Sequence, residues 1–113
     1  MKMLNLGCGS RHHKDWVNID FISNNKDILA YDLLKGIPYK DDNFDVIYHS
    51  HLIEHFPQEN AVNFIKECYR VLKPNGIIRI ATPNLEEIVK TIRNILINLS
   101  KMIKLQNSNT TGL

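Results

Sequence analysis

Several common sources of stability and function are thin or missing in this sequence. Two cysteines, Cys8 and Cys68, are too few for a disulfide framework and do not have the paired spacing of a zinc site. No apolar run approaches the roughly 18 residues a membrane-spanning helix needs. The start, Met1-Lys2-Met3-Leu4-Asn5-Leu6-Gly7, has no apolar core of a signal peptide, so a cytoplasmic protein without a transmembrane segment is expected. Charge of one sign is also scarce. Fourteen Lys and Arg against twelve Asp and Glu leave +2, which gives no reason to expect nucleic acid as a partner. No repeat is visible. What is present is 113 residues, 43% of them hydrophobic, enough for one domain around one core.

Met3 to Leu6 is a short apolar run that stops at Gly7-Cys8-Gly9, as a buried strand does on entering a turn. Trp16 to Asp20, Asp27 to Tyr31 and Phe44 to His49 read as three further strands, the last rich in β-branched and aromatic residues. From Gln58 to Lys73, Ala61, Phe64, Ile65, Cys68, Val71 and Leu72 recur at helical spacing, and Pro74-Asn75-Gly76 supplies a stop. Ile77 to Ala81 is a fifth strand. Asn84 and Glu87 then resemble a capping box opening a long helix, with Leu85, Ile88, Val89, Ile92, Leu96, Leu99 and Ile103 on one face. Residues 1–105 form the expected domain, and 106–113 an expected disordered polar tail. Strands alternating with helical patterns predict an α/β fold with a mostly parallel sheet. Val17 stands only ten positions after Gly7, so any helix in the first crossover is limited to about one turn.

In an open parallel sheet, ligands bind beyond the carboxyl ends of the strands, where the strand order reverses. Polar groups stand at those ends here. Gly7 and Gly9 permit positive φ and let backbone N–H groups approach a ligand without a Cβ between. His12 occupies the place of a third glycine, which counts against a dinucleotide-binding loop. Asp20 follows the second strand, where a carboxylate accepts from the two hydroxyls of a ribose. Asp32 follows the third, placed to accept from an adenine amino group, with Leu33 expected to cover the ring. His49, Ser50 and His51 follow the fourth, beside the expected end of a methionine-like tail.

The ordered set Leu4-Asn5-Leu6-Gly7-Cys8-Gly9, Asp32 to Tyr39, Asn43 to Tyr48, Leu52-Ile53-Glu54-His55-Phe56 and Tyr69 to Gly76 resembles class I S-adenosylmethionine-dependent methyltransferases over roughly Met3 to Glu87. Trp16-Val17-Asn18-Ile19-Asp20 is similar to the second strand of a small bacterial branch with a short first crossover, whose members accompany glycan or cell-surface polysaccharide synthesis. The resemblance implies a Rossmann-like sheet of about five strands flanked by helices and lacking the last two strands of the complete fold. It implies S-adenosyl-L-methionine as cofactor, held by Asn5, Gly7, Cys8, Gly9, Asp20, Asp32, Leu33, His49 and Ser50. A small-molecule or glycan-related methyl acceptor is the implied partner. Asn5 departs from the family's usual Asp or Glu, and Ser10-Arg11-His12-His13-Lys14 is an unusually basic loop for a sulfonium site, placed to face the cofactor's carboxylate or an anionic substrate. His51 is the expected catalytic base, with His55 as second choice.

Other classes leave their own traces. His51-Leu52-Ile53-Glu54-His55 matches the H-x-x-E-H of inverted zinc proteases, although no third ligand follows, and no metal site is expected. A shortened, non-catalytic domain that binds cofactor or a partner is the main alternative. Lys90, Arg93, Lys101 and Lys104 opposite an apolar helix face would also suit peripheral contact with an anionic membrane. An open sheet edge would permit a homo-oligomer.

Overall fold

Each short apolar run becomes a strand in the computed structural model, which describes residues 1–23, 25–83, 85–95 and 102–107. The strands are β1 (Met3–Leu6), β2 (Val17–Asp20), β3 (Ile28–Ala30), β4 (Phe44–Ser50), β5 (Leu72–Thr82) and β6 (Met102–Asn107). Two helices join them, α1 (Gln58–Val71) between β4 and β5 and α2 (Leu85–Ile95) between β5 and β6. Leu33–Lys35 and Ile53–His55 form single 3₁₀ turns. Every pairing is parallel, and the order across the sheet is β3-β2-β1-β4-β5-β6. The succession runs outward from β1 to β3, then returns to β4 on the other side of β1. The reversal between β1 and β4 opens the crevice that α/β folds use for ligands.

The two faces of the sheet are covered differently. Leu4 and Leu6 of β1, Ile19 of β2, Ile47 of β4 and Ile78 and Ile80 of β5 share one core with Phe64, Ile65 and Cys68 of α1 and Ile88 and Ile92 of α2. The helical period of α1 explains this, because Ala61, Phe64, Ile65, Cys68 and Val71 lie along one buried stripe. On the opposite face, Asn5 and Asn18 lie under residues 7–16. These form turns and irregular backbone with no helix, within the limit of about one turn that the ten-position spacing sets.

The passage into β4 is fixed from α1. Arg70 donates from Nη2 to the Ile37 carbonyl (2.9 Å) and from Nη1 to the Tyr39 carbonyl (2.9 Å) and Asp41 (2.8 Å), while Glu67 Oε1 accepts from the Ile37 N–H (2.9 Å). The guanidinium beside Glu67 is the main cause that holds its carboxyl below the usual range. These two residues clamp the loop before β4 and so set where that strand begins.

Four features differ from the sequence expectation. Helix α1 ends at Val71, and β5 already starts at Leu72. The Pro74-Asn75-Gly76 turn is an irregularity inside that strand, with Phe44 opposite Leu72 but Val46 opposite Ile77 and Asn75 at φ 66°. The last helix is described over Leu85–Ile95, and Ile103, expected on its apolar face, instead pairs with Ile78 in a sixth strand. Gln106 and Asn107, expected in a disordered tail, pair with Ala81 and Thr82. The apolar face considered for a membrane is in part core, since Ile88 and Ile92 are buried against the sheet layer. Asn84 of the capping box, Leu96, Leu99 and residues 108–113 lie outside the described residues.

Candidate functional site

The turn after β1 carries the site's backbone. The Gly7 N–H donates to the Ile19 carbonyl (2.8 Å), tying the turn to β2. Gly7 lies at φ 62°, and a Cβ there would come within 2.9 Å of the Leu52 side chain, so both conformation and space call for glycine. Gly9 also has positive φ (54°), but nothing lies within 4 Å of where its Cβ would be. Its N–H donates to Asp20 Oδ2 (2.8 Å), and Asp20 Oδ1 accepts from the Phe21 N–H (2.8 Å). The ends of β1 and β2 are thus joined into one cradle.

Beside the cradle is a cavity of about 250 Å³, lined by residues 5–11 on one side and by Tyr48, Ser50 and His51 of the β4 end on the other. No acidic side chain lines it, and Arg11 is its one permanently charged group. Asn5 is buried, and its Nδ2 donates to the Arg11 carbonyl (3.0 Å) and to Asn18 Oδ1 (3.1 Å). Both amide hydrogens are therefore engaged, and the acceptor capacity of Asn5 Oδ1 remains. Asn18, also buried, donates to the carbonyls of His13 (2.7 Å), Trp16 (3.0 Å) and Asp27 (3.3 Å) and accepts from the His13 N–H (3.1 Å). One side chain thereby supplies the bonds that an irregular loop cannot make to itself.

The carboxyl end of β4 is where expectation and geometry part. Strand alternation sends Tyr48 and Ser50 toward the cavity, while Ile47 and His49 face the helices. His49 is fully buried with its ring edge-on to Phe64 (5.0 Å), and neither ring nitrogen has a hydrogen-bond partner. Burial pushes its pKa down to about 3, so it is a neutral core residue and not a cofactor contact. Leu33 is likewise core, 1% exposed, and cannot cover a ligand ring; the neighbouring Leu34 is exposed, as is Phe21 just after Asp20. Asp32 stands at the end of β3, next to β2, where its Oδ1 accepts from the Leu34 N–H (3.0 Å) and caps the 3₁₀ turn.

His51 sits at φ 52°, a left-handed conformation held by its N–H donating to the Ala81 carbonyl (2.9 Å) of β5. Its Nδ1 lies 2.9 Å from Ser50 Oγ. Non-glycine residues in that region carry strain, and such strain gathers at functional sites. His55 is exposed on the following 3₁₀ turn and does not line the cavity. With His51 in a left-handed turn and residues 53–55 in a separate 3₁₀ turn, the H-x-x-E-H segment lacks the shared helix face a zinc site requires. Glu54 instead accepts from Thr82 Oγ1 (3.3 Å), and among the described residues no three His, Cys, Asp or Glu side chains are grouped to hold a metal. Cys8 is buried in the loop, and burial, reinforced by Asp20, raises its thiol pKa and keeps it protonated.

The structure therefore gathers Asn5, Gly7, Cys8, Gly9, Ser50 and His51 around one cavity, with Asp20 tied to Gly9 and Asp32 one strand further out. Tyr48 and the structural role of Asn18 went unread in the sequence. Alternation along β4 would have found the first; nothing local signals the second.

A family model described as a methyltransferase domain matches residues 4–80. A protein of Mycolicibacterium smegmatis named "Probable S-adenosylmethionine-dependent methyltransferase" is 37% identical over 51 residues, 45% of this chain and 19% of that protein. The chain thus spans about a fifth of that relative's length. No helix among the described residues is long and apolar enough to cross a membrane. Since the family model covers more than half of the sequence, and the parallel sheet reverses its strand order beside the glycine turn, the chain belongs to the class I family of methyltransferase domains, whose cofactor is S-adenosylmethionine.

Proposed function

We infer that the chain binds S-adenosylmethionine across the ends of β1, β2 and β3 and transfers its methyl group to an oxygen or nitrogen of a small-molecule or glycan-related acceptor. The observation that carries this reading is the Gly9–Asp20 bridge beside a cavity with open space over Gly9. The residues fit the cofactor. Each Asp20 oxygen accepts one N–H and keeps a second lone pair for a ribose hydroxyl. Asp32 retains capacity for an adenine amino group, and Phe21 and Leu34, not Leu33, offer the exposed apolar surface near those ends. The cavity itself is below the roughly 300–1,000 Å³ of a complete small-molecule site, which suits the methionine end alone.

The cofactor supplies an electrophilic methyl group on a sulfonium. Gly7, Cys8 and Gly9 bring backbone close to the bound group, and Ser50 and Tyr48 close the opposite wall. His51 acts as the base when Nδ1 carries its hydrogen and donates it to Ser50 Oγ, leaving Nε2 to take the acceptor's proton. His55 has no contact with this cavity that would give it the role.

Calorimetric titration with S-adenosylmethionine and S-adenosylhomocysteine, on the wild-type chain and Asp20→Ala, tests the reading. Saturable binding that weakens about tenfold or more in Asp20→Ala is expected, since a charged partner for two hydroxyls is lost. A folded wild-type chain that binds neither compound, or an Asp20→Ala variant that binds as well as wild type, refutes it.

A further inference from the structure

The cavity beside the glycine turn has the wrong polarity for a site built chiefly to hold a cation. Its lining residues include no carboxylate, and the position that would carry one is Asn5, whose two amide hydrogens are held by the Arg11 carbonyl and Asn18 Oδ1. Arg11 is a different matter. Its backbone is fixed at the cavity wall from both sides: its N–H donates to the Cys8 carbonyl (2.8 Å), and its own carbonyl accepts from Asn5. The ion pairs among the described residues are Arg70 with Asp41 and Glu67, and Lys73 with Asp45, so none of them occupies the Arg11 guanidinium. A cavity lined by one permanently charged side chain, Arg11, and by the amide oxygen of Asn5 carries the two polar partners that the ends of an α-amino acid need.

Resting on the cofactor reading above, we propose that Arg11 binds the carboxylate of the cofactor's amino-acid moiety, with Asn5 Oδ1 accepting from its ammonium. The carboxylate contact is the stronger of the two, because both of its partners are charged, whereas the ammonium meets a neutral amide. Recognition at this end of the cofactor therefore rests on the carboxylate. His12, His13 and Lys14, which follow Arg11, add no formal negative charge to oppose it.

A chemical cycle tests this without any methyl acceptor. Binding of S-adenosylhomocysteine and of its decarboxylated analogue is measured calorimetrically on wild type, Arg11→Ala and Arg11→Lys. Arg11 is exposed, so these variants are expected to fold, which urea unfolding monitors independently. Wild type is expected to prefer S-adenosylhomocysteine over the decarboxylated analogue by about tenfold, near the low end for a charged pair because solvent screens an exposed side chain. Arg11→Ala should lose that preference by weakening only the carboxylate-bearing ligand, and Arg11→Lys should recover part of it. Equal weakening of both ligands would make Arg11 a structural residue, and unchanged binding of both would assign its charge to something other than the cofactor; either result overturns the inference. If folded wild type binds neither ligand, the cofactor reading falls and this one falls with it. Binding by wild type with an Arg11→Ala variant that keeps the preference overturns this inference alone.

Discussion

Acidification should weaken this fold earlier than its carboxylates dictate, through His49. The ring is fully buried against Phe64 with both nitrogens unpartnered, and burial holds its pKa at about 3, against an ordinary value near 6.5. The folded pKa is depressed, so the unfolded chain binds a proton between these values and the native chain does not. Stability consequently falls as pH drops from about 6.5 toward 3, at up to about 1.4 kcal/mol per pH unit. Between pH 7 and pH 5 this amounts to about 2 kcal/mol, a sizeable share of the roughly 5–15 kcal/mol that typifies a domain. The carboxyls held low by their partners, Glu67 and Asp45, lose their contributions as pH falls from the ordinary carboxylate values toward their lowered folded values, almost wholly below that window. Urea unfolding followed by Trp16 fluorescence should show a midpoint lower by about 1 M at pH 5 than at pH 7, for a denaturant slope of roughly 1–3 kcal/mol per molar. His49→Leu removes the titrating group and both orphaned nitrogens at similar volume, and gives up an aromatic contact worth about 1 kcal/mol. Its loss between pH 7 and 5 should be smaller by the same 2 kcal/mol. If wild type and His49→Leu lose stability in parallel, the assignment of His49 as a buried neutral group is refuted.

Two other sites yield measurable contrasts. Asn18→Ala leaves the Trp16 carbonyl, the His13 N–H and half of the Asn5 amide without this partner, and the His13 carbonyl with the Trp16 N–H alone; allowing for rehydration of the exposed loop, this should cost about 2–4 kcal/mol in urea unfolding, and a cost below about 1 kcal/mol would deny Asn18 its clasping role. Gly7→Ala and Gly9→Ala share a positive-φ cost of about 1–2 kcal/mol, but only Gly7→Ala also presses on Leu52, so it should be the less stable of the two. Gly9→Ala places its methyl in the open space over the cradle and should impair S-adenosylhomocysteine binding beyond its effect on stability; two variants that behave alike in both assays would count against this division.

The strands before α2 were legible because each is a short apolar run closed by a polar or turn-forming residue, and burial on parallel pairing rewards that pattern. The chain after Ile95 was not. Ile103 continues a helical spacing from Leu99, yet Met102-Ile103-Lys104-Leu105-Gln106-Asn107 also alternates with period two, and pairing with β5 decides in favour of the second period. His49 and Leu33 failed for a related reason. A polar residue at a strand end is expected to face ligand, but β4 extends one residue further, to Ser50, and alternation turns His49 inward beside Ile47. Asp32 stands just after β3, while the adjoining 3₁₀ turn buries Leu33 and exposes Leu34. The glycine turn and Asp20 were readable because their positions depend on strand ends alone.

Asn5 shows why the first crossover and the site are linked. A helix would satisfy its own backbone, whereas residues 7–16 must find bonds elsewhere, and Asn5 donates one of them to the Arg11 carbonyl. A carboxylate cannot do this. In Asn5→Asp, an oxygen would stand against the Arg11 carbonyl and Asn18 Oδ1, both acceptors, and Asn18 cannot turn its amide round without losing its bonds to His13 and Trp16. The expected cost at pH 7.5 is about 2–4 kcal/mol, for the Arg11 carbonyl losing its donor, Asn18 Oδ1 left with the His13 N–H alone, and one carboxylate badly placed. Protonation restores one donor, so the variant's carboxyl should have a raised folded pKa. Its deficit relative to wild type should then shrink as pH falls toward 5 and grow as pH rises. Urea unfolding of both chains at pH 5 and 7.5 reads this directly. A variant as stable as wild type at pH 7.5 would mean that the amide is not required by the loop, and the absence of a carboxylate at this position would have to be explained by the ligand alone.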